Sequence, residues 1–192
     1  MNALKTYYKI MSAPPAEQQL RGWFQQVDTD GSGQITADEL QKALLNGDWT
    51  PFNLETIRLM INMFDKDDTG TIGFPEFTAL WKYIEDWRRC FLGFDQNRSG
   101  TIDKDELQTA LRTFGFNLSP EFIQSLIRKY DKHAKKTKPG QAPSGEVTFD
   151  NFIQICTTIQ MLTTAFRRYD DNSDGRIDIS YEEFLQLVVS NR

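Results

Sequence analysis

Apolar residues recur along this chain at helical spacing, and one arrangement returns five times. An incoming stripe at i, i+3, i+4 and i+7 lays an apolar face along a helix. The stripes are Leu20, Trp23, Phe24, Val27; Ile57, Met60, Ile61, Phe64; Trp87, Cys90, Phe91, Phe94; Ile123, Leu126, Ile127, Tyr130; and Leu162, Ala165, Phe166, Tyr169. Each runs directly into an aspartate and a polar loop. An outgoing stripe follows: Leu40, Ala43, Leu44; Phe77, Leu80, Trp81; Leu107, Ala110, Leu111; Phe152, Ile155, Cys156, Ile159; and Phe184, Leu187, Val188. The pattern predicts an all-α chain of five helix–loop–helix units in one compact domain. "NGDWTPFN" (46–53) breaks the chain between units one and two, and "FGFNLSP" (114–120) between three and four. Ser119 is the expected N-cap there, with Pro120 at the first helical position. No breaker lies between 77 and 92 or between 152 and 169, so one unit's outgoing helix should run on as the next unit's incoming helix. Residues 1–19 read as a flexible tail and 20–192 as the domain, with loops at about 28–39, 65–76, 95–106, 131–151 and 170–183.

Three of the loops match D-x-[DN]-x-[DNST]-G-x-[ILV]-x-x-x-E without a gap: "DTDGSGQITADE", "DKDDTGTIGFPE" and "DQNRSGTIDKDE". This spacing suits calcium, a hard cation that takes about six to eight oxygens at flexible geometry. Positions 1, 3 and 5 offer side-chain oxygens, position 7 a carbonyl and position 12 a bidentate glutamate. Position 6 turns sharply at positive φ and is therefore Gly. Position 8 is apolar because it pairs with a neighbouring loop as a short strand. The expected ligands are Asp28, Asp30, Ser32, the Gln34 carbonyl and Glu39; Asp65, Asp67, Thr69, the Thr71 carbonyl and Glu76; and Asp95, Asn97, Ser99, the Thr101 carbonyl and Glu106. Asp103 is expected to assist in the third loop.

The fourth loop places Asn151 where the glutamate should stand. His133 and Lys135 fall at ligand positions, and a Lys-, Gly- and Pro-rich insertion (132–145) reads as a mobile surface loop. No metal is expected there. In the fifth loop Gly175 fixes position 6, so Asp170, Asn172, Asp174 and the Arg176 carbonyl are weak candidate ligands. Position 12 is Tyr181, and Glu183 closes a ring two residues longer. Loops pair through position 8, since a lone strand edge leaves backbone groups unsatisfied. Five is odd. Units one and two pair, three and four pair, and the fifth is left for the fifth unit of a second chain, in a two-fold dimer.

The net charge of −5 argues against a nucleic-acid partner. The two cysteines sit on apolar helix faces as reduced core thiols, which fits a cytoplasmic protein. No signal sequence, glycine-directed acylation site or membrane-length apolar run of about 18 residues is present. The single histidine removes histidine triads and zinc clusters, and without a nucleophile–base set or phosphate loop the chain reads as no enzyme. Fourteen Phe, 4 Trp and 6 Tyr against 5 Met suit aromatic grooves for polyproline-type segments.

Five such units, the lengthened last loop and the strings "NGDWTPFN", "WKYIEDW", "SGTIDKDEL", "FRRYD" and "ISYEEFL" resemble the penta-EF-hand family, and within it the apoptosis-linked-gene (programmed cell death) branch. The resemblance covers about residues 20–190. It implies a calcium sensor and dimeric adaptor that exposes apolar pockets for Pro-rich segments of partner proteins. Membrane trafficking or repair and cell-death signalling are the implied settings, with calcium recruiting the protein to membranes. The implied pocket residues are Trp81, Tyr83, Trp87, Phe114 and Tyr181. The departures are a short tail in place of a long Gly/Pro-rich segment, a more complete second loop and the Lys-rich insertion. Two alternatives share the fold: a calcium buffer, and the regulatory subunit of a calcium-activated, calpain-type protease.

Overall fold

The computed structural model describes residues 15–131 and 145–189. Among them are eight α-helices and no sheet, only isolated bridges. The chain forms two compact units, one ending at Phe152 and the other starting at Ile153. The division falls inside a helix, where the sequence reading expects one continuous domain.

In the first unit, α1 spans Glu17–Val27 and α2 Ala37–Ala43. Residues 17–19, read as tail, thus belong to the first helix as an exposed polar turn ahead of Leu20. Residues 1–14 lie outside the described part. Helix α3 spans Leu54–Phe64, with the Asn53 side chain accepting from the Glu55 N–H. Helix α4 runs from Phe74 to Phe94 as one 21-residue rod serving loops two and three. Helix α5 spans Lys104–Thr113. It stops because Gly115 takes φ +89, letting the Gly115 and Phe116 N–H groups return to the Arg112 and Leu111 carbonyls. Helix α6 spans Pro120–Tyr130, and Ser119 caps it as expected, its Oγ accepting from the Phe122 N–H at 3.2 Å. Helix α7, Phe149–Arg167, begins in this unit and continues into the second as a shared helix.

Two bridges hold the loops in pairs. Ile35 exchanges both backbone hydrogen bonds with Ile72, and Ile102 with Val147, each at 2.8–2.9 Å. The four side chains are fully buried, as are Ile57, Met60, Leu80, Leu107, Leu111 and Phe152. Each such burial stabilises the fold by roughly 1.5–3 kcal/mol, so the loop pairs are the floor of the core rather than surface ornaments.

In the second unit α7 buries Ile155, Cys156, Ile159 and Ala165. Helix α8, Tyr181–Val189, buries no residue. The stripe expected on the fifth unit is therefore only partly covered. Leu162 is exposed, as are Phe184, at 51 %, and Val189, at 69 %. Both cysteines are free.

Candidate metal centres

Each metal loop is shaped by its first aspartate. Asp28 takes the Ser32 N–H on Oδ1 (3.0 Å) and the Gly33 N–H on Oδ2 (2.9 Å). Asp65 does the same with Thr69 (3.1 Å) and Gly70 (2.7 Å), and Asp95 with Ser99 (2.9 Å) and Gly100 (3.0 Å). These donors curl the loop around one point. Position 6 lies at positive φ in all three, which its glycine permits. Position 4 is also left-handed, at Gly31, Asp68 and Arg98, which the sequence reading did not foresee. No fixed residue type marks that position.

The closing glutamate ties the far side. Glu39 Oε1 accepts the Thr29 N–H (2.8 Å) and its Oε2 the Thr36 N–H (3.0 Å). Glu76 repeats this with Lys66 and Gly73, and Glu106 with Gln96 and Asp103. Each glutamate thus spans its loop and caps the helix that follows. Asp103 caps as well, its Oδ1 accepting the Asp105 and Glu106 N–H groups.

The carboxylates converge. One oxygen each of Asp28, Asp30 and Glu39 lies within 4.8 Å of the others, and likewise for Asp65, Asp67 and Glu76. Loop three has the same frame with the Asn97 amide in place of the second carboxylate; Asn97 Oδ1 accepts the Ser99 N–H at 2.8 Å. The position-5 hydroxyls of Ser32 and Ser99 point at the position-7 carbonyls of Gln34 (3.0 Å) and Thr101 (2.9 Å). In loop two Thr69 faces the Thr71 carbonyl more loosely, at 3.4 Å. A cross-loop bond from the Thr71 hydroxyl to Gln34 Oε1 joins sites one and two. Hydrogen bonds keep these acids ready for a cation. The Thr36 backbone and side chain, then Thr29, hold Glu39 down to about 2. The Ser32 hydroxyl and N–H lower Asp30. Desolvation pushes Asp65 up, but the Gly70 and Thr69 N–H groups outweigh it and its pKa falls.

Loop four keeps part of the frame. Gly145, at φ +76, donates to Asp131 Oδ2 at 2.7 Å, as position 6 does elsewhere. Asn151 stands at the closing position, and its amide donates to the Tyr130 carbonyl. His133, Lys135 and the rest of the insertion up to residue 144 lie outside the described residues. Loop five has the same start: Asp170 takes the Asp174 and Gly175 N–H groups at 3.1 Å each. The Asn172 amide donates to Asp174 Oδ2, and the Arg176 N–H to Asp174 Oδ1. Glu183 accepts the Ser180 N–H at 2.7 Å, and that cap lowers its pKa. Among the described residues no trio of acids converges in loop five.

Of the five implied pocket residues, three lie together. Tyr83, Trp87 and Phe114 form a half-buried aromatic run with ring centroids 6.1 and 5.9 Å apart. Trp81 belongs to a different cluster. It is buried, stacks on Trp23 at 4.5 Å and faces Phe77, because it lies half a turn round α4 from Tyr83. Tyr181 sits on α8 of the second unit and is 77 % exposed.

Comparison with known proteins agrees with this geometry. The EF-hand domain pair profile matches residues 17–82 and 84–157, and an EF hand profile matches 163–188. Mouse sorcin is 43 % identical over 175 residues, covering 89 % of this chain and 82 % of sorcin. Human peflin is 43 % identical over 179 residues, covering 93 % of this chain but only 60 % of peflin's own length. A solved homologue of programmed cell death 6 protein from Leishmania major Friedlin superposes with a TM-score of 0.74 at 31 % identity, covering 92 % of this chain and 95 % of that one. No helix among the described residues is long and apolar enough to cross a membrane. Loops, helix plan and relatives together place the chain in the penta-EF-hand family of calcium-binding proteins, near the programmed-cell-death branch.

Proposed function

We propose that this protein is a non-enzymatic, cytoplasmic calcium sensor and dimeric adaptor. Calcium enters loops one and three, and loop two, through the fifteen groups named above; loop five takes it weakly or not at all. The filled protein then offers apolar pockets to Pro-rich segments of partners in membrane trafficking, membrane repair or cell-death signalling.

One observation carries the reading. Helix α4 begins beside the closing glutamate of loop two and ends at the first aspartate of loop three, and it bears Tyr83 and Trp87 between them. A cation that draws in either end shifts a rigid rod, and the rod moves a half-buried aromatic run. Edge-to-face rings of this kind line a groove that suits a preformed polyproline helix. Dimerisation through the fifth unit is supported by Ile177, which has no bridge among the described residues, and by an α8 with no buried side chain.

The test is a calcium titration of the full chain, following tryptophan emission and a dye for apolar surface, beside a Glu39→Ala/Glu106→Ala variant. A transition at about 10⁻⁷–10⁻⁵ M that exposes apolar surface, and is lost in the variant, supports the sensor. Calcium uptake with neither signal moving leaves a buffer. A monomer that pairs only with a homologous domain of a larger chain points to the protease subunit.

A further inference from the structure

We propose that the turn between the first two hands, residues 46–53, is seated on the paired loops three and four and couples its own conformation to the filling of loop three. The turn is stapled internally. The Asn46 N–H donates to the Thr50 carbonyl (2.8 Å), the Trp49 N–H to the Asn46 carbonyl (3.0 Å), and a bridge joins Leu45 to Pro51.

Two contacts carry the turn onto the loop pair. The first is backbone on backbone. A β-carbon built on Gly47 would stand 3.3 Å from the Gly100 carbonyl oxygen and 3.5 Å from its α-carbon. Gly100 is position 6 of loop three, and its neighbour Thr101 supplies the ligand carbonyl at position 7. The second contact is a buried carboxylate. Asp150 of loop four, 2 % exposed, accepts the Asn53 N–H (2.6 Å), the Thr148 hydroxyl and the Asn151 N–H (2.8 Å). Its own N–H donates to the Asn46 side-chain oxygen at 3.0 Å. Asp150 therefore holds both ends of the turn, while Gly47 touches loop three from the middle.

The arrangement leaves little slack. Gly100 is tied on its amide side to Asp95, and its carbonyl, which faces Gly47, lies one peptide before the Thr101 carbonyl, so drawing the Thr101 carbonyl onto an ion shifts the neighbouring 100–101 peptide against Gly47. Gly47 has no side chain to swing aside, and the Asp150 anchors stop the turn from sliding away. The displacement has to appear at the tip. There Trp49 is held at φ +66 and is 61 % exposed. Strain of this sort persists only where the surroundings over-determine it. Coupling is reciprocal, so whatever fixes the turn alters loop three's affinity. Helices α2 and α3 flank the turn, which gives the second pair of hands a route to the first that bypasses α4.

This inference rests on loop three being a calcium loop. The experiment uses the full chain carrying Glu39→Ala and Glu76→Ala, so that loop three is the remaining complete ligand set. Calcium is titrated by calorimetry with and without Gly47→Ala. Gly47 lies outside the left-handed region, so alanine adds only a β-carbon in tight contact with the Gly100 carbonyl. The expected result is a loop-three affinity about five-fold or more lower, the scale of ordinary site-to-site coupling. The Trp49 emission, taken as the difference from a Trp49→Phe counterpart, should change with the same midpoint as calcium uptake. An affinity unchanged or raised, with Trp49 silent through the titration, overturns the coupling while leaving the calcium reading intact. Absence of calcium uptake in the Glu39→Ala/Glu76→Ala protein overturns the calcium reading of loop three, and the coupling with it.

Discussion

At the scale of single residues, the closing glutamate does two jobs that the loop pattern records as one. Glu39 is a candidate ligand and also the cap of α2. With its pKa held at about 2 against an ordinary 4.5, its contribution to the calcium-free fold is complete above pH 4.5 and fades as pH falls through about 2. In chelator, the difference in melting temperature between wild type and Glu39→Gln should stay constant from neutral pH to about pH 5 and close on further acidification. A difference that closes above pH 5 would contradict that assignment. The residue types of the ligands were legible in the sequence because a hard cation restricts them. The N–H groups that orient those ligands were not, since every residue carries one.

At the scale of elements, the helix plan follows from apolar spacing and from the breakers. The shared helices α4 and α7 appear where no Gly or Pro interrupts the stripe. Capping and loop pairing should separate cleanly in experiment. Ser119→Ala removes only the cap of α6, so it should cost about 1 kcal/mol in chemical denaturation and leave calcium affinity alone. Ile72→Ala empties a fully buried position that bridges loop two to loop one. It should cost about 2–5 kcal/mol and weaken loops one and two together. A calorimetric titration in which loop one keeps its affinity would show that the bridge carries no coupling. The sequence reading found the pairing and the break at 46–53 but not where that turn docks, because hydrogen bonds that span about a hundred residues, such as Asn53 to Asp150, leave no periodic trace.

At the scale of the molecule, the two units differ in how well they finish their cores. The first buries large side chains from Ile35 and Phe52 to Ile127 and Phe152 almost completely, and the second buries Ile153 and Ile155 on α7, whereas α8 buries none. On the proposed pairing of fifth hands, Phe184→Glu should convert a dimer to a monomer in sedimentation velocity at micromolar protein, with helix content unchanged. A wild-type chain that sediments as a monomer, or a variant that remains dimeric, would remove the fifth hand from the interface. Placing a charge on an apolar contact costs several kcal/mol when it is desolvated, enough to dissolve an ordinary interface.

The sequence by itself determined the five repeats, the ligand types and the two loop pairs, because helical periodicity and cation chemistry are local constraints written within a few residues of one another. It also placed Trp81 by spacing on an apolar face. Only the tertiary structure decided that this ring stacks on Trp23 while Tyr83, Trp87 and Phe114 gather elsewhere. Only the fold showed that loop four retains its Asp131–Gly145 bond across the insertion, and that Asp150 and Gly47 bind the first linker to the second pair of loops. Those contacts join residues far apart in the chain. Their partners are chosen by how the helices pack, and no residue type along the chain announces them.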